Sequence, residues 1–78
     1  MILTLYTGPQ CSLCDLAEEL INELNKSGAS LQLVKVNVRQ SAELYHLYGA
    51  RIPVLKRKDN DRELGWPFGL SELSDFIQ

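Results

Sequence analysis

Residues 3–14 read LTLYTGPQCSLC. An apolar run, a Gly8-Pro9 break and two cysteines three positions apart follow one another directly, and the chain has no other cysteine. Ile2 to Tyr6 is short, apolar and bounded by turn residues, the pattern of a buried strand. Beyond the cysteines, apolar residues fall at Leu13, Leu16, Ala17, Leu20, Ile21 and Leu24. That spacing traces one face of an α-helix, with Asp15, Glu18, Glu19, Asn22 and Glu23 on the other. Gly28 is placed to stop the helix, with Lys26 in its last turn. Residues 31–38, LQLVKVNV, are rich in strand formers. Strand, helix and strand make a βαβ unit, whose strands are expected to be parallel and its crossover right-handed.

Working outward, Ser41 can cap a short helix over residues 42–48, AELYHLY, with Leu44, Leu47 and Tyr48 facing inward and Gly49 at its end. IPVLKRK (52–58) and RELGW (62–66) flank Asp59-Asn60-Asp61, which reads as a hairpin turn that Trp66-Pro67 ends. LSELSDFI (70–77) closes the chain as a helix with Leu70, Leu73, Phe76 and Ile77 inward. The order βαβ, α, ββ, α predicts one α/β domain over residues 1–78, with helices on both faces of one four-stranded sheet.

At 78 residues and 45% hydrophobic content the chain has room for one small domain with a thin core. The net charge of -2 and the lack of a basic stripe argue against nucleic acid. Lys56-Arg57-Lys58 is followed by Asp59 and Asp61 and reads as a solvated hairpin end. No apolar run approaches the ~18 residues of a membrane span. The opening MILTLYTG lacks the basic segment and apolar length of a signal peptide. A cytoplasmic location is expected, where thiols stay reduced.

Three uses of the cysteine pair compete. A tetrahedral zinc site needs four ligands. The chain offers Cys11, Cys14 and His46, the last on a different helix, so no metal is expected within one chain. A structural clip closing so short a loop restrains the unfolded chain very little. A reactive dithiol fits best, because C-x-x-C stands after a strand and at a helix start inside a βαβ unit. The first N–H groups of a helix are unpaired, and its dipole favours an anion there. Cys11 is therefore placed as the attacking thiol, and Cys14, one turn further in, as the thiol that resolves the mixed disulfide. Ser12 and Leu13 add no charge, and Asp15, Glu18 and Glu19 work slightly against a thiolate. The Cys11 pKa is expected to be lowered only modestly, toward the thioredoxin end of the known range. Ile52-Pro53 is a second signal, since a proline opening a strand cannot donate a ladder bond.

Together these segments resemble the glutaredoxins. LTLYTGPQCSLC is similar to their first strand and active-site turn, and YGARIPVL (48–55) to the segment leading into their cis-proline. With the late GWPFG (65–69), the chain more closely resembles small bacterial glutaredoxin-like proteins of the DUF836 type. The resemblance implies a minimal thioredoxin fold, β-α-β-α-β-β-α, with a mixed sheet of strand order 2-1-3-4. It also implies that Cys11 is the nucleophile, Cys14 the resolving thiol and Pro53 a cis-proline facing them. Arg51, Ile52, Pro53 and Trp66 then form the substrate side.

The departures from the glutaredoxin pattern are specific. Gly8, Pro9 and Gln10 stand where a lysine is common, and Ser12-Leu13 where Pro-Tyr is common. GWPFGLSEL (65–73) replaces the Gly-Gly and Asp that hold the γ-glutamyl end of glutathione. Dithiol chemistry carries over and glutathione recognition does so poorly. Arg51 and Arg39 remain as cations that could meet a carboxylate. The expected function is a thiol–disulfide oxidoreductase, part of cellular redox homeostasis and electron transport. It would act as a monomer without cofactor on a protein or small-molecule disulfide, with a reductase or glutathione as electron donor. The alternative is a non-catalytic binding module, or a carrier bridging a metal or iron–sulfur cluster between two chains.

Overall fold

The computed structural model describes residues 1–78. In chain order it forms β1 (Ile2–Thr7), α1 (Ser12–Lys26), β2 (Gln32–Asn37), a 3-10 turn (Val38–Gln40), α2 (Ala42–Tyr48), β3 (Val54–Arg57), β4 (Glu63–Gly65) and α3 (Leu70–Phe76). The strands lie in the order β2-β1-β3-β4. β1 and β2 are parallel, and β1–β3 and β3–β4 are antiparallel. Element order and strand order both agree with the expected minimal thioredoxin-type arrangement.

Alternation along β1 and β3 divides the interior in two. Leu3, Leu5 and Leu55 point to one face, where Ala17 and Ile21 of α1 and Leu73 and Phe76 of α3 meet them, with Phe68 closing the end. On the opposite face Val54 packs with Val38 and Tyr48, and Tyr6, Leu44 and Ile52 lie at the margin. α1 and α3 thus cover one face, and α2 covers part of the other.

Local chemistry fixes the helix ends. The Ser41 hydroxyl accepts the Leu44 N–H at 3.3 Å and opens α2. Past the end of α1, Gly28 adopts φ +108°. Its N–H donates to Asn25 O, and the Ala29 N–H donates to Leu24 O. This pair of bonds is a Schellman motif, which needs a left-handed residue at that position. The Asn25 side chain then binds both the N–H and the C=O of Leu31, which sets the entry into β2.

The inward-facing sets read from periodicity were too wide. Leu13 is 43% exposed, Leu16 46%, Leu47 50% and Leu70 41%. The stripe of α1 that meets the sheet is Cys14, Ala17 and Ile21. A four-stranded sheet this small offers each helix only a narrow strip, so leucines at the stripe's edge stay wet.

The basic cluster also needs correcting. Arg57 is buried, at 7% exposure. It shares the parity of Leu55 and so points to the core side of β3. There its guanidinium donates to Phe76 O and Gln78 O, each at 2.8 Å, and to both carboxylate oxygens of Asp59. Carbonyls in the last turn of a helix have no partners within it, and Arg57 supplies them for α3. Lys58 stays exposed, as expected of a hairpin end. No helix is long and apolar enough to cross a membrane.

Candidate active site

β1 delivers the chain to the turn at residues 8–11. Gln10 takes a left-handed backbone, φ 54°, and Cys11 returns to an extended one before α1 begins. Cys11 is the N-cap of α1. Its sulfur accepts the Cys14 N–H at 3.1 Å, standing where a serine or aspartate oxygen usually stands. Cys11 and Cys14 are joined as a disulfide, with Cα atoms 5.2 Å apart. Cys11 is half-buried and Cys14 is 3% exposed. Of the two sulfur-bearing residues, the one at the helix start is thus the more accessible.

Pairing of Tyr6 with Val54 brings the start of β3 to the same end of the sheet as this turn. A Cβ on Gly8 would lie 2.9 Å from Cδ1 of Ile52, so the turn and the β3 entry touch, and a larger residue here would have to displace the tip of the Ile52 side chain. The Ile52–Pro53 bond is cis, and so is Trp66–Pro67. Pro53 is buried. Neither the N–H nor the C=O of Ile52 has a partner within the protein. The Trp66 N–H donates to Pro53 O at 3.1 Å and ties the segment after β4 to the proline.

The structure therefore gathers Cys11, Cys14, Ile52 and Pro53 at one end of the sheet, with the Trp66 backbone bound to Pro53. The Trp66 ring packs edge-on against Phe68, centroids 5.0 Å apart, and lines a groove beside α1. Phe68 itself belongs to the core. Arg51 is engaged elsewhere. Its guanidinium lies 3.7 Å from Glu63 and 5.7 Å above the Tyr48 ring. Tyr48 stacks on Tyr6 at 4.1 Å and donates its hydroxyl to Glu63 at 2.6 Å. That bond to a carboxylate, together with burial, raises the phenol pKa well above the ordinary tyrosine range. A shallow cleft of about 210 Å³ opens beside Gly8, Pro9 and Ile52, walled by Arg39 and Tyr45. His46 is exposed on α2. No three His, Cys, Asp or Glu side chains converge as a metal site would require.

Sequence reading missed three of these features. The left-handed residue is Gln10 and not the neighbouring glycine, and nothing in its type announces that. The Gly8–Ile52 contact joins positions far apart in sequence. The groove beside α1 has a signal in the sequence, a leucine stripe wider than a small sheet can cover, but periodicity alone does not separate its wet edge from the core.

In chemical terms, a disulfide at a helix N-terminus, with one cysteine half-buried and the other buried, stands beside an unpaired main-chain segment. Comparison with known proteins bears on the family and the fold. The glutaredoxin-like domain (DUF836) matches residues 2–78. The X-ray structure of the Northeast Structural Genomics target protein XcR50 from X. campestris superposes with a TM-score of 0.82 at 35% identity, covering 96% of this chain and 93% of that one. The solution structure of XcR50 gives 0.79 at 38% identity, covering 99% and 92%. No curated protein matches the sequence.

Proposed function

This chain belongs to the glutaredoxin-like domain family (DUF836), and from that premise we propose that it is a thiol–disulfide oxidoreductase acting on disulfide-bearing proteins. In the reduced protein the Cys11 thiolate attacks one sulfur of the substrate disulfide. That S–S bond breaks, a mixed disulfide forms on Cys11, and the leaving thiolate takes up a proton. Deprotonated Cys14 then attacks Cys11 Sγ, releases the second substrate thiol and leaves the Cys11–Cys14 disulfide. A dithiol reductant outside the protein returns two electrons and two protons.

One observation carries this reading: the bonded sulfur pair at the N-terminus of α1, with Cys11 accessible and capped by the Cys14 N–H. The unpaired main chain of Ile52 supports an incoming extended segment beside Cys11, held by strand-like hydrogen bonds. The reading includes a cytoplasmic monomer without cofactor. Glutathione is the poorer reductant in this scheme, because the segment before α3 offers Trp66 and the buried Phe68 in place of small polar groups. Arg51 is already engaged by Glu63.

The test is reduction of insulin with dithiothreitol as donor, followed by a lysate trap. Wild type is expected to accelerate insulin reduction, Cys11→Ser to abolish it, and Cys14→Ser to hold mixed disulfides on Cys11. A Cys14→Ser variant that captures nothing, together with a wild type no faster than dithiothreitol alone, refutes the proposal. A brown protein after anaerobic purification would favour the cluster carrier instead.

A further inference from the structure

α1 carries more leucine than its packing uses. Leu13, Leu16 and Leu20 form a line of helical neighbours along the edge of the buried stripe. Leu13 and Leu16 are 43% and 46% exposed, and Leu20 is half-buried. Leu13 is one of the two residues between the cysteines, so the line begins at the redox turn itself. From Leu16 onward it forms one wall of an open groove of about 510 Å³. The opposite wall is the segment before α3: the half-buried Trp66, Phe68 and the exposed Leu70.

The rim of the groove has one sign of charge. Glu19 and Glu23, one helical turn apart, line it, and no lysine or arginine does. Neither carboxylate is paired, since the ion pairs of the protein are Lys35–Glu18, Arg51–Glu63 and Arg57–Asp59. An apolar floor beside two free carboxylates selects for large apolar side chains flanked by cations. It works against acidic ligands and, at net charge -2, against a second copy of this chain.

We propose that this groove docks a segment of the disulfide-bearing partner protein that presents leucine-like side chains beside lysine or arginine. The inference rests on the redox reading above and gives it a partner class. The leucine line joins the groove to the C-x-x-C turn, so a segment seated there leads toward Cys11. Small disulfides have nothing to place in the groove and gain nothing from it.

Trp66 is the sole tryptophan and sits in the groove wall, so its fluorescence reports occupancy directly. The probe is a synthetic peptide free of cysteine and tryptophan, carrying two leucines flanked by lysines. It is titrated into the Cys11→Ser/Cys14→Ser protein, which removes thiol exchange from the readout. Saturable binding is expected, about tenfold or more weaker for the same peptide with glutamates in place of lysines. Leu16→Ser is expected to weaken it to a similar degree. Because Leu16 is close to half exposed, that variant retains the fold, which circular dichroism verifies. Glu19→Lys with Glu23→Lys is expected to reverse the preference between the two peptides.

Equal binding of both peptides, or none, overturns the proposal. So does a Trp66 signal that follows protein concentration alone, which would mark a second copy in the groove. The redox reading fails separately: a wild type that binds the peptide but reduces no disulfide keeps the docking surface and loses the chemistry.

Discussion

The backbone N–H of Cys14 donates to Sγ of Cys11 across 3.1 Å, and the same two residues are bonded through sulfur. A donor aimed at the accessible sulfur stabilises negative charge there, and the N-terminal end of the α1 dipole adds to it. In the reduced protein Cys11 is therefore expected to hold a pKa below the free-thiol value of about 8.5. Thiolate absorbance of the Cys14→Ser variant, followed against pH, measures it. Iodoacetamide at neutral pH should label Cys11 of the reduced protein well before the buried Cys14. Labelling in the reverse order would exchange their roles.

No lysine or arginine stands within the C-x-x-C turn, and Asp15 lies in the first turn of α1. Thiolate stabilisation then comes from backbone groups alone. The Cys11–Cys14 couple is expected at about -270 to -200 mV, between thioredoxin and glutaredoxins. Equilibration with defined dithiothreitol ratios reads the value. A couple as oxidising as about -120 mV would mean that a stabilising interaction of the reduced form has been overlooked.

Glutathione should regenerate the dithiol slowly. Polar contacts missing at its charged ends cost about 1–3 kcal/mol each. Two such losses weaken glutathione binding by about 30-fold or more, and recycling by glutathione should lag behind that by a protein dithiol donor. Side-by-side recycling assays with glutathione and with a thioredoxin system compare the two. Equal rates would show that the Trp66–Leu70 segment holds glutathione after all.

Tyr48→Phe removes the hydroxyl that donates to Glu63 while keeping the ring stacked on Tyr6. A hydrogen bond to a carboxylate in a half-open setting makes this a loss of about 1–2 kcal/mol in urea unfolding. Folding raises the phenol pKa, so the folded chain holds that proton more tightly than the unfolded one. The contribution is complete below the unfolded value of about 10 and fades as pH rises through the higher folded value. The difference between wild type and Tyr48→Phe should accordingly shrink only in strong alkali. A difference that already vanishes near neutral pH contradicts the assignment.

Arg57 joins the β3 end to the Phe76 carbonyl of α3 and to the main-chain oxygen of Gln78 just beyond it, and Asp59 holds it in place. The guanidinium bond lowers the Asp59 pKa. A carboxylate lowered by folding contributes in full above its unfolded value of about 3.9 and loses that contribution as pH falls through the folded value. Asp59→Asn is expected to flatten the acid limb of the stability profile. Arg57→Ala should cost far more stability than Lys56→Ala, because it leaves the α3 carbonyls without donors. Equal losses at Arg57 and Lys56 would mean that α3 does not depend on this anchor.

By itself the sequence determined the element order, the parallel βαβ start, the caps at Ser41 and Gly28 and the placing of the cysteine pair at a helix start. Each of these is local: a period, a capping residue, a spacing of three. The tertiary structure decided which apolar faces are used. Leu13, Leu16, Leu47 and Leu70 carry the right spacing for burial, but the sheet is too narrow to cover them. It also decided that Arg57 is an anchor and not a solvated end, because the carbonyls it serves lie about twenty residues further along the chain. The meeting of Gly8 with Ile52 follows from β1 and β3 lying side by side, and that of Trp66 with Pro53 from the pairing of β3 with β4. Such contacts join residues distant in sequence, and a one-dimensional pattern holds no term for them.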